Sequence, residues 1–487
     1  MHDPSPLTAE QRRAVTALLS AIPKAAAELG RLFARNGHEL ALVGGPVRDI
    51  FLGRPLSDLD LTTDAPPERV MEITAGWADA TWTVGIAFGT IGLRKGDNVL
   101  EITTYRSERY DRTSRKPIVK YGESLTDDLL RRDFTVNAMA VTLPARELVD
   151  PFGGMTDLGD KLLRTPGAPE DSFDDDPLRI LRAARFVAEL GFAPTAEVIA
   201  AMAELAPRLE IVSAERIAAE FTKLLLAARP GGPSAGLDLL VRTGAADYFL
   251  PEVPKLRLEI DEHHRHKDVY RHSLTVLDQA IELEPRYGLE RDLRLRLAAL
   301  LHDIGKPKTK SPLPGGRVAF HHHDVVGAKL AKTRLKELRF PADVTADVAE
   351  LIGLHLRFHG FGTGEWTDSA VRRYVTDAGP LLSRLHALTR ADCTTRNRAK
   401  AQRLAASYDD LEDRIGELAE QEELARIRPD LDGHEIMQIL GIGPGPAVGR
   451  AYKYLLDLRL DHGPLDHERA VEELRRWAEE RGGNAVP

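Results

Sequence analysis

The sequence is poor in several features, and each shortage excludes a class of protein. Its 487 residues contain one cysteine, Cys393, so an internal disulfide is excluded and we expect a reducing compartment, the cytoplasm. No apolar run is long enough to cross a membrane, and the first residues lack the basic-then-apolar pattern of a signal peptide. The formal net charge is −9, which is not the profile of a protein that binds nucleic acid over its whole surface. A surface for RNA would have to be a local gathering of basic residues.

The length suits about three domains, and the sequence pattern changes at Asp150. Residues 7–36 have helical spacing. Between Glu39 and Asp150, short apolar runs bounded by glycine and aspartate predict a mixed β-sheet covered by helices. The predicted strands are 40–43, 59–62, 90–93, 99–104 and 138–143. Beyond Asp150 every segment has helical character, whereas the charged, aperiodic segment 107–120 predicts a mobile loop.

Two neighbouring motifs predict chemistry on nucleotides. Gly44-Gly45 can form a tight turn whose backbone lies close to a phosphate, because neither residue has a Cβ. Around Asp58 and Asp60 the alternation with leucine predicts a strand, on which residues i and i+2 point to one face. The two carboxylates would then form a ligand set for Mg²⁺ beside a bound phosphate. This combination is the minimum equipment for metal-assisted nucleotidyl transfer.

Two further runs supply side chains for the same site. Glu101 lies in a β-prone run and would add a third carboxylate if its strand is next to that of the aspartate pair; the alternative is a solvent-facing glutamate on an edge strand. In segment 131–139, Arg132 suits phosphate oxygens, and Asp133 and Asn137 can hydrogen-bond to sugar hydroxyls. The alternative for this segment is a helix start capped by Asp133.

Residues 44–63 as a whole resemble the head of the bacterial class II tRNA nucleotidyltransferases and poly(A) polymerases, which belong to the polymerase-β-like group. Segment 131–139 resembles the family motif that contacts ribose and triphosphate. The resemblance implies an α+β fold, with a small mixed β-sheet nucleotidyltransferase head followed by an extended all-α neck, HD and tail region. The roles that it implies are triphosphate binding by Gly44, Gly45 and Arg48, catalysis with Mg²⁺ by Asp58, Asp60 and Glu101, and sugar binding by Arg132, Asp133 and Asn137.

A third motif, residues 172–186, resembles the family segment in which protein groups read the incoming base in place of a template. The resemblance gives these roles to Asp176 and Arg179, which at i and i+3 would share one helix face. Such a pair could select C or A over G or U by complementary hydrogen bonds. Two further residues of the motif, Arg182 and Arg185, are assigned to nucleotide binding as well. The following motif, 213–225, is expected to brace the neck.

A histidine-rich region predicts a second site. An adjacent histidine and aspartate, His302-Asp303, lie on an apolar helix, where they are costly to bury unless paired or bound to metal. With His272 and Asp392 they match the ligand order of the HD-family metal phosphohydrolases. This donor set suits Mn, Ni, Fe or Mg rather than structural zinc, and a metal-bound water could attack a phosphoester. For His321, His322, His323 and His355, surface or otherwise satisfied histidines are the favoured interpretation.

The tail segment 432–450 resembles the family's RNA-binding tail, to which Arg450 and Lys453 would add charge; the alternative is a helix–turn–helix packing element. We expect four regions in order: the head at 1–150, the base-reading neck at 151–255, the HD domain at 256–395 and the helical RNA-binding tail at 396–487.

Taken over nearly the whole chain, the resemblance predicts an enzyme that adds CCA to tRNA 3′ ends from CTP and ATP without a template, with an accessory phosphohydrolase activity. The expected partners are the tRNA 3′ end, CTP and ATP, and no membrane; the oligomeric state is not indicated. The alternatives are a poly(A) polymerase, a partial CC- or A-adding enzyme, an HD phosphohydrolase with a nucleotide-binding head, and a non-catalytic RNA-binding protein. The segment 107–120 argues against a CC-only form, because by family pattern such enzymes have this loop shortened.

Overall fold

The computed structural model describes residues 19–20, 22–56, 59–105, 124–257, 268–314, 317–360, 367–393, 398–422 and 427–480. The chain divides into two units, residues 1–251 and 252–487, and each is taken by itself. Asp58, the predicted helix up to residue 18 and the predicted loop 107–120 lie outside the described residues.

A seven-stranded mixed sheet organises the first part of unit one. Its strands are β1 (Leu40–Val43), β2 (Leu59–Thr63), β3 (Ala80–Trp82), β4 (Thr90–Lys95), β5 (Asn98–Thr104), β6 (Ala140–Leu143) and β7 (Leu148–Val149). Their order is β3-β4-β5-β2-β1-β6-β7, and neighbours are antiparallel except β2 and β5, which are parallel. The predicted mixed-sheet head is confirmed.

The centre of the sheet shows why these residues form strands. β1 is buried throughout, as a central strand covered on both faces should be. In β2, Leu59 and Leu61 are buried and Asp60 between them is exposed. This period of two presents the aspartate on the open face while the leucines enter the core.

Ten helices are described in unit one. They are α1 (Lys24–Arg35), α2 (Gly45–Phe51), α3 (Pro67–Thr74), α4 (Leu125–Leu130), α5 (Gly154–Asp160), α6 (Pro169–Asp175), α7 (Arg179–Leu190), α8 (Ala196–Leu205), α9 (Ala214–Leu225) and α10 (Gly232–Arg242). Helix α1 packs on β1 and β6, and α3 packs on β4 and β5. Further along the chain, α7, α9 and α10 pack on one another and form the helical part of this unit.

Unit two is mainly helical. Its described helices are α11 (Val269–Leu283), α12 (Leu293–Leu301), α13 (Lys306–Thr309), α14 (His323–Glu337), α15 (Ala342–Leu354), α16 (Arg357–Gly360), α17 (Asp368–Ala378), α18 (Leu382–Asp392), α19 (Arg398–Gln421), α20 (Gly433–Leu440), α21 (Pro446–His462) and α22 (His467–Glu480). The last three enclose a core of their own that includes Leu431, Ile436, Leu455, Leu474 and Trp477. No helix in the described ranges is long and apolar enough to span a membrane.

The expectation of wholly helical structure after Asp150 was wrong in two places. Short parallel strands β8 (Leu162–Leu163) and β9 (Ala193–Pro194) pair in unit one, and β10 (Lys310–Leu313) pairs with β11 (Arg317–Phe320) in unit two. Pro312 and Pro314 explain the second case, because proline cannot continue a helix.

Candidate active site and metal centre

The two described acidic residues of the predicted catalytic set lie side by side. Asp60 on β2 and Glu101 on β5 are register partners across the parallel strand pair, and both are exposed. Side chains paired in this way point to the same face of a sheet. Both residues line a cavity of about 390 Å³. The structure therefore brings these carboxylates together, while Asp58 falls outside the described residues.

A glycine turn after β1 lies against an arginine of the predicted set. Gly44 has a φ of +74°, in the left-handed region that favours glycine. A Cβ at Gly44 would lie 2.8 Å from Nη1 of Arg132, so the guanidinium occupies the space that a side chain would need. Gly44, Gly45 and Arg132 line a second cavity of about 320 Å³, which shares Asp60 and Arg132 with the larger one.

A buried chain of hydrogen bonds centres on Asp133. Asn137 Nδ2 donates to Asp133 Oδ1 at 2.9 Å, and Arg182 donates to Oδ2 through Nε at 2.8 Å and Nη2 at 2.5 Å. Burial alone would raise the pKa of Asp133, but the charge of Arg182 and the hydrogen bond from Asn137 outweigh it and lower this pKa far below its usual range. The ionised carboxylate holds both partners at the wall of the smaller cavity.

Arg48 lies at the same wall but is already engaged. Its Nη1 donates to Asn137 Oδ1 at 2.7 Å, and its Nε and Nη2 each donate to Asp49 at 3.0 Å. With all three nitrogens bound within the protein, Arg48 orients Asn137 in this structure. The predicted role of Arg48 as a direct triphosphate ligand stays a prediction.

Sequence reasoning missed a carboxylate that holds two arginines. Asp128 on α4 is fully buried; its Oδ1 accepts from Arg131 Nε and Nη2, and its Oδ2 accepts from Arg132 Nη2. Burial alone would raise the pKa of Asp128, but the charges of Arg132 and Arg131 outweigh it and lower this pKa. The i,i+3 and i,i+4 spacing to the arginines was the available signal.

Asp176 and Arg179 both line the larger cavity but do not share a helix face. Helix α6 ends at Asp175, α7 begins at Arg179, and Asp176 between them is extended, with φ −140° and ψ 95°. The prediction of one shared helix face was therefore wrong. The physical reason is Pro177, since a residue that precedes proline is driven out of the helical region.

The partners of this pair come from elsewhere in unit one. Arg216 on α9 donates from Nη2 to Asp176 Oδ2 at 2.8 Å. Arg179 donates from Nη1 to Ser172 Oγ at 2.7 Å and from Nη2 to the backbone carbonyl of Arg131. Sequence reasoning did not identify Arg216 as part of the cavity wall, although it lines the same cavity.

Arg182 and Arg185 are held by a shared acid, also from α9. Glu220 Oε2 lies 3.2 Å from Arg185 Nη1, and Glu220 Oε1 lies 3.6 Å from Arg182 Nη1. The two guanidinium carbons lie 5.5 and 4.6 Å from the ring centre of Phe186. Both arginines line the smaller cavity. The contacts from Arg216 and Glu220 agree with a bracing role for segment 213–225.

In unit two, the four predicted HD residues converge although they are widely separated in sequence. His272 Nε2 lies 2.8 Å from Asp392 Oδ1, and His302 Nε2 lies 3.2 Å from Asp303 Oδ2 and 3.4 Å from Asp392 Oδ1. Gly305 makes the close packing of this turn feasible, because a Cβ there would lie 2.1 Å from the His323 carbonyl oxygen.

Two further histidines belong to this cluster. His323 and His355 are buried and form with Asp303 a second group of ligand atoms, all within 4.8 Å of one another; the first such group is His272, His302 and Asp303. The favoured interpretation as surface or satisfied residues was thus wrong for His355, whose Nε2 is buried without a hydrogen-bond partner among the described residues. His323 is not at the surface, but both of its ring nitrogens have partners, Phe320 O and Asp303 Oδ1. The interpretation is right for His321 and His322, which are exposed. The difference arises because α14 begins at His323 and turns its ring inward.

The donor set fits divalent cations. His302, His323 and His355 each place Nδ1 within 2.9 Å of the carbonyl oxygen three residues earlier, which favours a proton on Nδ1 and leaves Nε2 for a metal. His355 Nε2 is buried with no hydrogen-bond partner in the part of the chain that the structure describes. Burial would lower the pKa of His302, but Asp303 and Asp392 raise it to about 10, so the two carboxylates favour a positive charge at this position, which a proton or a divalent cation can supply.

The two predicted tail residues are on the first turns of α21. Arg450 and Lys453 are both exposed there, following the glycine-rich turn 441–445. The turn contains Gly441, with φ +64°, which ends α20. The exposure and position of Arg450 and Lys453 are compatible with a contact to RNA phosphate and equally with a helical hairpin that serves only packing.

Comparison with known proteins gives three matching family models. Residues 40–164 match the "Poly A polymerase head domain", residues 269–397 match the "HD domain", and residues 191–256 match the "Probable RNA and SrmB- binding site of polymerase A". The first model contains the Asp60–Glu101 face, and the second contains the histidine cluster.

Two curated relatives match this chain over most of their own length. A CCA-adding enzyme of Anoxybacillus flavithermus is 31% identical over 91% of this chain and 94% of its own. An A-adding tRNA nucleotidyltransferase of Deinococcus radiodurans is 33% identical over 91% of this chain and 96% of its own.

Solved structures share the fold. The Bacillus stearothermophilus CCA-adding enzyme in complex with CTP is 24% identical, with a TM-score of 0.60 over 95% of this chain and 98% of its own. The Thermotoga maritima CCA-adding enzyme complexed with tRNA_CCA is 17% identical, with a TM-score of 0.60 over the same shares. The identity and coverage of the curated relatives establish the family: the chain belongs to the tRNA nucleotidyltransferases that include the CCA-adding and A-adding enzymes.

Proposed function

We propose that this chain adds C, C and A to the 3′ end of tRNA, using CTP and ATP and no nucleic-acid template. The observation that carries the proposal is the cavity in which Asp60 and Glu101 face Arg132, Asp133 and Asp176. Its volume of about 390 Å³ is on the scale of small-molecule sites. The family membership of the whole chain narrows the substrates of such a cavity to nucleotides and tRNA.

In the proposed reaction the 3′-hydroxyl oxygen of the RNA bonds to the α-phosphorus of the nucleotide and its proton passes to solvent, while the bond between the α-phosphorus and the bridging oxygen breaks and pyrophosphate leaves with that oxygen. Asp60 and Glu101, with Asp58, would hold Mg²⁺, because carboxylate oxygens are its usual protein ligands. When bound, the metal supplies charge stabilisation for the attacking and leaving oxygens. The parallel pairing of β2 and β5 fixes the two described carboxylates on rigid neighbouring strands, which keeps them in register without a substrate.

The arginines divide the work of binding the nucleotide. Arg132, which the family resemblance assigns to the sugar, is packed on Gly44 and in this proposal would meet the triphosphate, because a guanidinium fork matches phosphate oxygens. Asp133 and Asn137 would position the sugar, with Arg48 orienting Asn137 and Arg182 orienting Asp133. Arg185 would then add charge at the cavity wall.

Base selection would rest on Asp176 and Arg179. Cytosine and adenine carry an exocyclic amine that can donate to the Asp176 carboxylate, whereas guanine and uracil present a carbonyl oxygen there and would leave the acid facing an acceptor. A site built for a donor rejects a base that lacks it, because that base would place an acceptor oxygen against the carboxylate. Arg216 holds Asp176 in place for this purpose.

The test is a 3′-end assay on two substrates, tRNA that ends before CCA and tRNA that ends in CC, each with CTP, ATP or both. We expect CC from CTP alone, CCA from both nucleotides, and A on the second substrate from ATP alone, as read by sequencing of the 3′ ends. Addition of A only to the CC-ending substrate would make the chain an A-adding enzyme, like its Deinococcus relative. Repeated A on any RNA would make it a poly(A) polymerase, and no pyrophosphate release from any combination would overturn the proposal.

For unit two we propose a metal-dependent phosphohydrolase site. His272, His302, Asp303 and Asp392 would hold one divalent ion, and Asp303 with His323 and His355 a second, drawn from Mn, Ni, Fe or Mg. When bound, such ions supply an activated water and Lewis-acid polarisation. The protein's own contribution is the fixed direction of the imidazoles through their Nδ1 contacts.

Hydrolysis of a chromogenic phosphoester with each metal tests the second activity. His302→Ala should abolish hydrolysis, and the matched control His321→Ala, an exposed histidine of the same unit, should retain it. Equal activity in both variants would contradict the assignment. Neither change should alter nucleotide addition, which separates this activity from that of the head.

We extend the proposal to the tail residues, the regions of the chain and its location. The tail residues Arg450 and Lys453 would contact the tRNA backbone. We also propose the division into regions 1–150, 151–255, 256–395 and 396–487; the matched family models end at residues 164, 256 and 397, near the expected ends of the first three regions. A cytoplasmic location would follow from the tRNA substrate.

A further inference from the structure

Asp128 lies outside the groups that would touch a nucleotide, yet it is connected to two arginines at the cavity wall. It is the last acidic residue of helix α4 and has no exposed surface. Arg131 and Arg132, which follow it by three and four residues, both line the larger cavity. A fully buried carboxylate is expensive unless charged partners satisfy it, so its presence requires a reason.

The reason lies in how its two oxygens are divided. Oδ1 accepts from Arg131 Nε at 3.1 Å and Nη2 at 3.0 Å, and Oδ2 accepts from Arg132 Nη2 at 3.1 Å. Each oxygen thus serves one arginine. The bond to Nη2 also leaves Arg132 Nη1 directed at the Gly44 turn, where it lies 2.8 Å from the position of an absent Cβ.

We propose that Asp128 is a positioning residue for triphosphate binding, and that it acts by fixing the guanidinium of Arg132 against the Gly44 turn. The inference rests on the proposed nucleotidyl transfer and names a residue that this proposal does not use. Without the carboxylate, Arg132 keeps its charge but loses its fixed direction, and a fork must be correctly directed to bind phosphate through two hydrogen bonds.

The substitution Asp128→Asn tests whether each arginine needs its own carboxylate oxygen, with almost no change in the shape of the side chain. Asparagine has one acceptor oxygen, and its amide NH₂ would face the second arginine as donor against donor. The matched control is Asp127→Asn, which removes the same charge from the neighbouring exposed position, where the side chain accepts from Ser124 Oγ.

Affinities of the full-length protein for CTP, CDP and CMP are measured without tRNA, so that the readout does not depend on turnover. We expect Asp128→Asn to weaken CTP binding about 10- to 100-fold, the factor that corresponds to one charge-assisted hydrogen bond, and CMP binding by less than about twofold. Asp127→Asn should match the wild type for all three nucleotides. A loss that is equal for CTP and CMP, or a CTP affinity equal to that of Asp127→Asn, would overturn the inference.

A double-mutant cycle shows whether the effect passes through Arg132. In an Arg132→Gln background, Asp128→Asn should change CTP affinity by less than about twofold, and additive losses would overturn the inference. If Asp128→Asn does not fold, Asp128→Glu keeps both acceptors but displaces them by one methylene, and it should show the same dependence on phosphate number. If the wild type does not extend tRNA, the proposed function is contradicted. The nucleotide affinities of the Asp128 variants still test the role of Asp128 in that case.

Discussion

The adjacent glycines Gly44 and Gly45 look alike in the sequence but are predicted to respond differently to the same added methyl group. Gly44 has φ +74° and ψ −135°, a combination that L side chains rarely adopt, and its Cβ would lie 2.8 Å from Arg132 Nη1. Gly45 is the first residue of α2, and its Cβ would have Arg48 Nη2 as nearest atom at 3.6 Å, an ordinary contact.

The magnitude for Gly44→Ala has two parts. Holding a non-glycine residue in a sparsely populated backbone region costs about 1–3 kcal/mol in the free energy of unfolding. For a unit of this size, that corresponds to a fall in Tm of roughly 2–4 °C per kcal/mol. Contact with the new methyl group also requires Arg132 to retreat by a few tenths of an ångström or more. Since a misplacement of about 1 Å can cost about a hundredfold in rate, we expect kcat/KM for CTP and ATP to fall about 10- to 100-fold.

Gly45→Ala is the matched control. Its stability should be unchanged or higher by up to about 1 kcal/mol, because alanine restricts the unfolded chain and fits the helix. Any loss of kcat/KM in this variant would then report close approach of the nucleotide itself. Thermal unfolding and steady-state nucleotide addition are measured on both variants. If Gly44→Ala is as stable as Gly45→Ala and as active as the wild type, the interpretation of the turn is refuted.

Three further outcomes are expected. Glu101→Gln should reduce nucleotide addition about a hundredfold or more with little change in Tm, because the side chain is exposed at the cavity and aimed at developing charge; full activity would remove Glu101 from the catalytic set. His355→Gln should lower the metal content of the purified protein by about one equivalent in elemental analysis, and an unchanged content would exclude the second metal position. Burial lowers the pKa of His386 to about 4, below its value of about 6.5 in the unfolded chain. Between these two pH values the unfolded chain binds more protons than the folded one. The free energy of unfolding should therefore fall by up to about 3 kcal/mol as the pH drops from 6.5 to 4. His386→Phe should remove that part of the pH dependence, measured by denaturant unfolding, and an unchanged profile would contradict it.

Local periodicity predicted five of the seven strands and the exposed acid of β2, but not the short strands β3 (Ala80–Trp82) and β7 (Leu148–Val149). The alternation around Asp60 specifies both the strand and the face, and the same rule applied to the run around Glu101. The pairing of these two strands is not a local property, because residues 41 positions apart become neighbours only when the whole sheet forms. The resemblance to a family supplied that step, not the pattern.

Arg216 and Glu220 were missed for one reason, which differs from the case of Asp128. Arg216 and Glu220 contact residues about 35–40 positions earlier, and no spacing rule reports such a distance. Their helix was expected to begin at Ser213, and Ser213 does cap α9; its role as a brace stays a prediction. The sequence did not predict which side chains of α9 would face the cavity, since that depends on how α9 packs on α7.

The wrong prediction for Asp176 arose because proline has two opposite effects on helix formation. Proline favours the first turn of a helix, and three acids before Pro177 support a helix start. Proline also drives the preceding residue out of the helical region, and this effect places Asp176 in the extended segment between α6 and α7. In this extended position the Asp176 carboxylate contacts Arg216 on another helix. It also lines the larger cavity together with Arg179. An acid held by a tertiary contact, rather than by its own helix, is suited to discriminate between bases, because the contact from Arg216 fixes its direction before a nucleotide binds.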